Sequence, residues 1–220
     1  MISFESVSKS YATPAGRRIV LDNVTAVLAP GRNLGIFGVN GAGKSTLLRL
    51  IAGSEMPDRG RITRYGRVSF PLGFSGTFHG NLSGRENVSF IARIYGASVK
   101  HTIGFVRDFA ELDQYFEMPV NTYSSGMRAR LAFGACLAID FDVYLIDEAT
   151  EVGDERFRRK CAAAFQQRMS TSDIILVTHN ARTIRQYCDQ AAVLADGALR
   201  LFDDLPSAFA HYRMLAAEAA

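Results

Sequence analysis

Gly38-Val39-Asn40-Gly41-Ala42-Gly43-Lys44-Ser45-Thr46 satisfies the pattern G-x-x-x-x-G-K-[ST], and its flanks leave few architectures open to the chain. An apolar run, Leu34-Gly35-Ile36-Phe37, leads into it, and Leu47 to Ala52 continues as a helix. Strand, glycine turn and helix, in that order, is the setting in which such a loop works. Glycines let successive backbone N–H groups turn inward around a polyphosphate, where side chains would block the approach. The positive end of the following helix attracts the same anion. Lys44 is placed to reach the outer phosphates as a point charge, and Ser45 to offer its hydroxyl to Mg²⁺. Residues 38–46 therefore imply a bound nucleoside triphosphate.

The bulk properties narrow the setting. A chain of 220 residues fits one sizeable domain with a real core. Lys plus Arg is 25 and Asp plus Glu is 22, so the net charge of +3 is too small to argue for a nucleic-acid partner. Cys136, Cys161 and Cys188 are odd in number and far apart, which fits a reducing compartment better than a disulfide framework. The longest nearly unbroken apolar run, Leu131 to Ile139, is far short of a membrane span. No direct membrane insertion is expected, and work at a membrane requires a partner to hold the chain there.

In chain order, strands are predicted at Ile2–Val7 and Ile19–Ala29. Tyr11 falls between them, beside the turn-rich Ala12-Thr13-Pro14-Ala15-Gly16. An aromatic there either caps the sheet or stacks on a base. Short strands are predicted over 61–64 and 67–70. Pro71 to Gly80 is a glycine-spaced loop with several aromatics, followed by Ser83-Gly84-Arg85-Glu86, a capping box that opens a helix. Val88, Ile91, Ala92 and Tyr95 give that helix one apolar face, and a second helix follows over about 98–110. Residues about 82–137 thus read as a helical insert within an α/β sheet. Phe141–Ile146 and Ile174–Thr178 read as strands buried on both faces, separated by a helix from about Asp154 to Met169. A helix near 181–188, a hairpin turning at Asp196-Gly197 and a last helix over about 205–217 complete the reading.

Four further groups carry chemistry. Asp147-Glu148 closes a buried strand, where open α/β sheets bind ligands. Asp147 is expected to hold Mg²⁺ together with Ser45. Glu148 is placed to orient or deprotonate an attacking water, the alternative being an acidic pair that only caps a helix. Tyr123-Ser124-Ser125-Gly126-Met127 precedes a helical run and is either a plain N-cap or a second anion cradle. Two phosphate-seeking helix ends suggest a nucleotide gripped from two sides. If they cannot meet within one fold, the second grip comes from another copy. His179 ends the strand Ile174–Thr178 on the rim shared with Asp147, as a structural histidine or as a γ-phosphate contact. Arg156, Arg158, Arg159 and Lys160 read as a solvated helix face, with attraction to anionic lipid the weaker reading.

With these pieces in order, the chain resembles the ATP-binding subunit of an ABC transporter over essentially its whole length. The resemblance rests on the Walker A loop 38–46, the signature 123–127, Walker B 143–148, the D-loop Glu151-Val152-Gly153-Asp154 and the switch His179. It implies an α/β fold with a RecA-like P-loop core, an antiparallel β part and a helical subdomain, all one domain over 1–220. It implies Tyr11 stacked on adenine, catalysis by Glu148 and His179, and ATP held between two head-to-tail copies. Each signature then faces the other copy's Walker A.

Within the family the chain is most similar to polysaccharide exporters, above all the capsule branch. The carriers are Phe70-Pro71-Leu72-Gly73-Phe74, Leu82 to Asn87, the signature, and Asp147 to Asp154. With its last helix so near residue 220, the chain is expected to lack the sugar-binding domain that many O-antigen exporters append. O-antigen or teichoic-acid export is the near alternative. A soluble ABC ATPase acting on ribosomes or DNA is the distant one, disfavoured by a single copy without heptads. The resemblance implies a separate transmembrane permease subunit, with this chain at the cytoplasmic face of the inner membrane. Aromatics on the glycine-spaced loop of about 70–80 make that loop the candidate docking surface, the alternative being that they pack inward. The signature departs from the family's Leu-Ser-Gly-Gly-Gln at Ser125 and Met127. No glutamine lies between Gly60 and Asp113, so the family's Q-loop glutamine is missing.

Overall fold

A computed structural model describes residues 1–14, 16–72, 78–147, 155–178 and 180–218. From the N-terminus come β1 (Ile2–Thr13), β2 (Gly16–Leu28), β3 (Leu34–Phe37), α1 (Lys44–Ala52) and β4 (Arg59–Arg64). A helical stretch follows, with α2 (Gly84–Ile94), α3 (Val99–Ala110) and α4 (Ser125–Leu137). Next come β5 (Val143–Asp147), α5 (Glu155–Met169), β6 (Asp173–Val177) and α6 (Ala181–Tyr187). The remainder is β7 (Gln190–Ala195), β8 (Ala198–Phe202) and α7 (Leu205–Glu218). The chain divides into two units, one of Met1–Pro71, Asp142–Glu148 and Ser172–Ala220, the other of Leu72–Phe141 and Ala149–Thr171.

The first unit holds two sheets. In the five-stranded sheet, ordered β5-β6-β3-β7-β8, every pairing is parallel except β7 with β8. Parallel strands covered on both faces need unbroken apolar runs, and all four residues of β3 are buried. The smaller sheet, β2-β1-β4, is antiparallel, and its inward residues Ile2, Phe4, Val7 and Leu21 join Leu47, Leu48 and Leu50 of α1 in one core. The expected strand over 67–70 is reduced to an isolated bridge from Val68 to Val143. Beside it, the buried Ser69 hydroxyl accepts from Leu145 N at 2.9 Å, so a side chain takes the place of a ladder bond.

Tyr11 lies within β1 and faces Arg18 of β2, rather than in a turn between strands. The two strands stay paired through irregularities between Phe4 and Ser10 until Thr13 meets Gly16. Pairing along the sheet overrode the local turn signals.

Gly35 marks where α6 presses on the central strand. A Cβ there would come within 2.7 Å of Ile184 Cγ2. Gly35→Ala is expected to destabilise the protein by about 1–3 kcal/mol through overpacking, seen as a lower urea midpoint at unchanged slope.

The second unit is helical among its described residues. Ser83 and Glu86 form the expected reciprocal cap on α2, which buries Val88, Ile91 and Ala92. α3 contributes Val106 and Phe109, and α4 contributes Leu131 through Leu137. Phe157 of α5 meets Phe109 edge-on, and the Arg130 guanidinium lies 4.7 Å from the Phe157 ring centre. The basic face of α5 is not wholly solvated. Lys160 Nζ donates to Phe109 O at 2.8 Å and pairs with Glu111 at 2.7 Å, while Arg158 and Arg159 pair with Glu155. Among the described residues no helix is long and apolar enough to cross a membrane.

Candidate nucleotide-binding site

β3 delivers the chain to the carboxyl edge of the parallel sheet, where Gly38 begins the loop. A Cβ on Gly38 would come within 2.7 Å of Leu194 O, and one on Gly43 within 2.3 Å of Val20 Cγ1. Gly41 (φ 86°) and Gly43 (φ 102°) also hold left-handed backbone that side chains resist. Val39 O accepts from Ala42 N at 3.0 Å, closing the turn, and Gly43 caps α1. Val39, Asn40, Ala42 and Thr46 complete the loop, Thr46 being buried in the first turn of α1.

Lys44 folds back over this cradle. Its ammonium donates to Gly38 O at 2.7 Å and Val39 O at 3.1 Å. Burial pushes its pKa down, with the Asp147 carboxylate opposing. Asp147 ends β5, two strands away from β3 with β6 between them. The Ser45 hydroxyl donates to Asp147 Oδ2 at 3.2 Å. Burial pushes the Asp147 carboxyl up, against that hydrogen bond and the charges of Lys44 and Arg49. Both groups lean toward their neutral forms because dehydration outweighs their mutual attraction. An anion in the cradle gives Lys44 partners for its charge, and a cation beside Ser45 and Asp147 does the same for the carboxylate. A hydroxyl and a carboxylate oxygen side by side form a hard-oxygen donor pair of the kind Mg²⁺ takes.

Tyr11 is anchored through its hydroxyl. It donates to Glu55 Oε1 and lies 3.3 Å from both Thr46 Oγ1 and Arg49 Nη2. Glu55 is held in turn by Arg49 at 2.8 Å and Lys9 at 3.0 Å. Burial alone would raise the Glu55 pKa, but the Tyr11, Arg49 and Lys9 contacts outweigh it and hold it at about 2, against an ordinary 4.5. A depressed folded pKa contributes stability above the ordinary value and loses it as pH falls toward the folded one. Between pH 4.5 and 2 the parent is therefore expected to lose thermal stability more steeply than Glu55→Gln, which melting curves across that range will show.

The signature lies in the second unit. Ser124 caps α4, its hydroxyl accepting from Met127 N at 3.2 Å. Ser124 and Ser125 are exposed, while Gly126 and Met127 are half-buried. Tyr123 is fixed beneath them by a 2.5 Å hydrogen bond from its hydroxyl to Tyr115 O. Glu148, Asp154 and His179 lie outside the described residues, as do 73–77 of the aromatic loop. Of that loop's flanks, Pro71 and Leu72 are buried and Phe70 and Phe78 half-buried.

Sequence reasoning missed Lys9, Arg18, Arg49 and Glu55. Arg18 donates to the Gly41 carbonyl, tying β2 to the tip of the loop. Only Arg49 left a signal, standing three residues after Thr46 on the same helix face. Glu55, in the turn beyond α1, left none.

Residues 21–151 match the family model described as ABC transporter. The chain is 47% identical to the "Capsule polysaccharide export ATP-binding protein CtrD" of Neisseria meningitidis serogroup B, over 98% of this chain and 100% of that protein. It is 45% identical to the "Polysialic acid transport ATP-binding protein KpsT" of Escherichia coli, over 97% of this chain and 99% of that one. It shares its fold with the solved "Dimeric structure of a post-hydrolysis state of the ATP-binding cassette MJ0796 bound to ADP and Pi". The TM-score is 0.74 at 20% identity, covering 92% of this chain and 98% of the other. The fold expected from the sequence, a parallel α/β core with an antiparallel part and a helical region, is the fold found.

Proposed function

This chain belongs to the ABC transporter family of ATP-binding proteins, and from that membership we propose that it hydrolyses ATP to power export of a capsular-type polysaccharide. Export runs through a separate transmembrane permease subunit. The observation that carries the reading is the Ser45–Asp147 hydrogen bond of 3.2 Å at the mouth of a glycine cradle over which Lys44 is folded. Backbone N–H groups of residues 38–46 receive the phosphates, and Lys44 exchanges its carbonyl partners for phosphate oxygens. Tyr11 stacks on the adenine. Ser45 and Asp147 hold Mg²⁺, which when bound neutralises charge on the outer phosphates. Glu148 takes a proton as the water oxygen bonds to the γ-phosphorus. The bond to the bridging oxygen breaks, leaving ADP and phosphate, and His179 contacts the γ-phosphoryl group.

A second copy completes the site. Ser124, Ser125, Gly126 and Met127 of one chain face Lys44 of the other across the nucleotide, with Asp154 of the D-loop at the seam. ATP binding closes the pair, and hydrolysis with product release reopens it. The protein is a single ATP-binding domain that sits peripherally on the cytoplasmic face of the inner membrane. The loop of about 70–80 docks the permease, and no nucleic acid takes part. Affinity purification from the host in mild detergent tests this. An integral membrane protein is expected to co-purify with Mg²⁺-dependent ATPase activity; co-sedimentation with ribosomes or DNA instead would overturn the assignment.

A further inference from the structure

The hydroxyl of Tyr11 is held far more firmly than a surface tyrosine needs. Glu55 accepts from it, and Thr46 and Arg49 lie 3.3 Å away. Arg49 also donates to Thr46 Oγ1 at 3.0 Å. The Lys9 ammonium, besides pairing with Glu55, stands 5.3 Å from the centre of the Tyr11 ring. The charged side chains are largely shielded, at 12% exposure for Lys9, 18% for Glu55 and 26% for Arg49. The ring itself packs in part against the hydrophobic core. One phenol is thus backed by the core and clamped at its tip. Thr46 and Arg49 of the clamp stand on α1, the helix that begins at the phosphate loop, Glu55 in the turn after it and Lys9 on β1.

We propose that Glu55, braced by Arg49 and Lys9, is a positioning residue that fixes the Tyr11 ring as a preset platform for the base of the nucleotide. The proposal rests on the reading of Tyr11 as the base-stacking residue. Its physical basis is the entropy of ordering. A free aromatic side chain must give up rotamers when a base stacks on it, and a clamped one has already done so. That saving corresponds to roughly 2- to 12-fold in affinity for one side chain. Because the clamp includes Thr46 and Arg49, it also keeps the ring at a set distance from the phosphate cradle. Base and phosphates are then read as one rigid unit.

Tripolyphosphate, which has the phosphates and no base, separates this role from a merely structural one. Binding of ATP and of tripolyphosphate is measured on the full chain by calorimetry for the parent, Glu55→Ala, Glu55→Gln, Tyr11→Phe and Tyr11→Ala. Glu55→Ala and Tyr11→Phe are each expected to weaken ATP by roughly 2- to 12-fold and leave tripolyphosphate unchanged. Combining the two should add nothing further, and Glu55→Gln, which keeps an acceptor, should lose less. Tyr11→Phe removes one oxygen and leaves the Glu55–Arg49–Lys9 pairs in place, so it reads the clamp even where Glu55→Ala fails to fold. Equal losses for both ligands, or parental ATP affinity in Tyr11→Phe, overturn the clamp. Tyr11→Ala reports on the underlying reading: an ATP-selective loss there supports the base platform whatever the clamp variants do. Unchanged ATP binding in Tyr11→Ala removes the platform and the clamp with it.

Discussion

Glu148→Gln is expected to slow ATP hydrolysis by roughly 10²- to 10⁴-fold, the usual worth of a general base, while ATP still binds. The substitution keeps the side chain's size and its hydrogen-bonding oxygen and removes the group able to take a proton. Its neighbour Asp147 cannot substitute, because it is engaged by Ser45 at 3.2 Å and faces the Lys44 ammonium. The variant should therefore accumulate with ATP bound, in the closed pair if the second copy completes the site. Single-turnover hydrolysis beside equilibrium ATP binding separates the two effects. Hydrolysis at the parental rate would show that another group activates the water.

Lys44→Ala acts earlier, on binding. The ammonium donates to Gly38 O and Val39 O inside the cradle, and truncating it removes the cation that the proposed site sets against the polyphosphate. Losing one partner of a shielded, hydrogen-bonded charge pair costs about 2–5 kcal/mol, or roughly 30- to 4,000-fold in affinity. Truncation also removes two hydrogen bonds to loop carbonyls, but the Ala42 N–Val39 O bond and the glycine conformations that shape the turn remain. The chain should therefore still fold, which a melting curve checks beside the binding measurement. Tight ATP binding by a folded Lys44→Ala protein would contradict the reading of residues 38–46.

Much of this site could be read in one dimension. Residues 38–46 carry their own constraints, since the glycines, the lysine and the helix start are neighbours in the chain. β5 was legible as an apolar run ending in an acid, and α2 as a capping box followed by apolar residues at helical spacing. Tyr11 was found as a candidate but misplaced. Its neighbours Ala12 to Gly16 signal a turn, and only the register with β2 shows that the strand continues to Thr13. The short bridge at Val68 has the same origin, because Ser69 spends its hydroxyl on Leu145 N.

Sequence alone determined the groups on offer: a glycine-rich loop opening onto a helix, an acid at a strand end, and the order of elements that places both on one sheet edge. It could do so because backbone conformation and burial pattern are set within short windows of residues. Tertiary structure decided the pairings. Lys9 stands beside both Glu55 and Asp58, the Tyr11 hydroxyl meets Glu55, and Arg18 lands on Gly41. Charges many residues apart carry no local mark of their partners, and only the packing of β1, β2 and α1 brings them within reach.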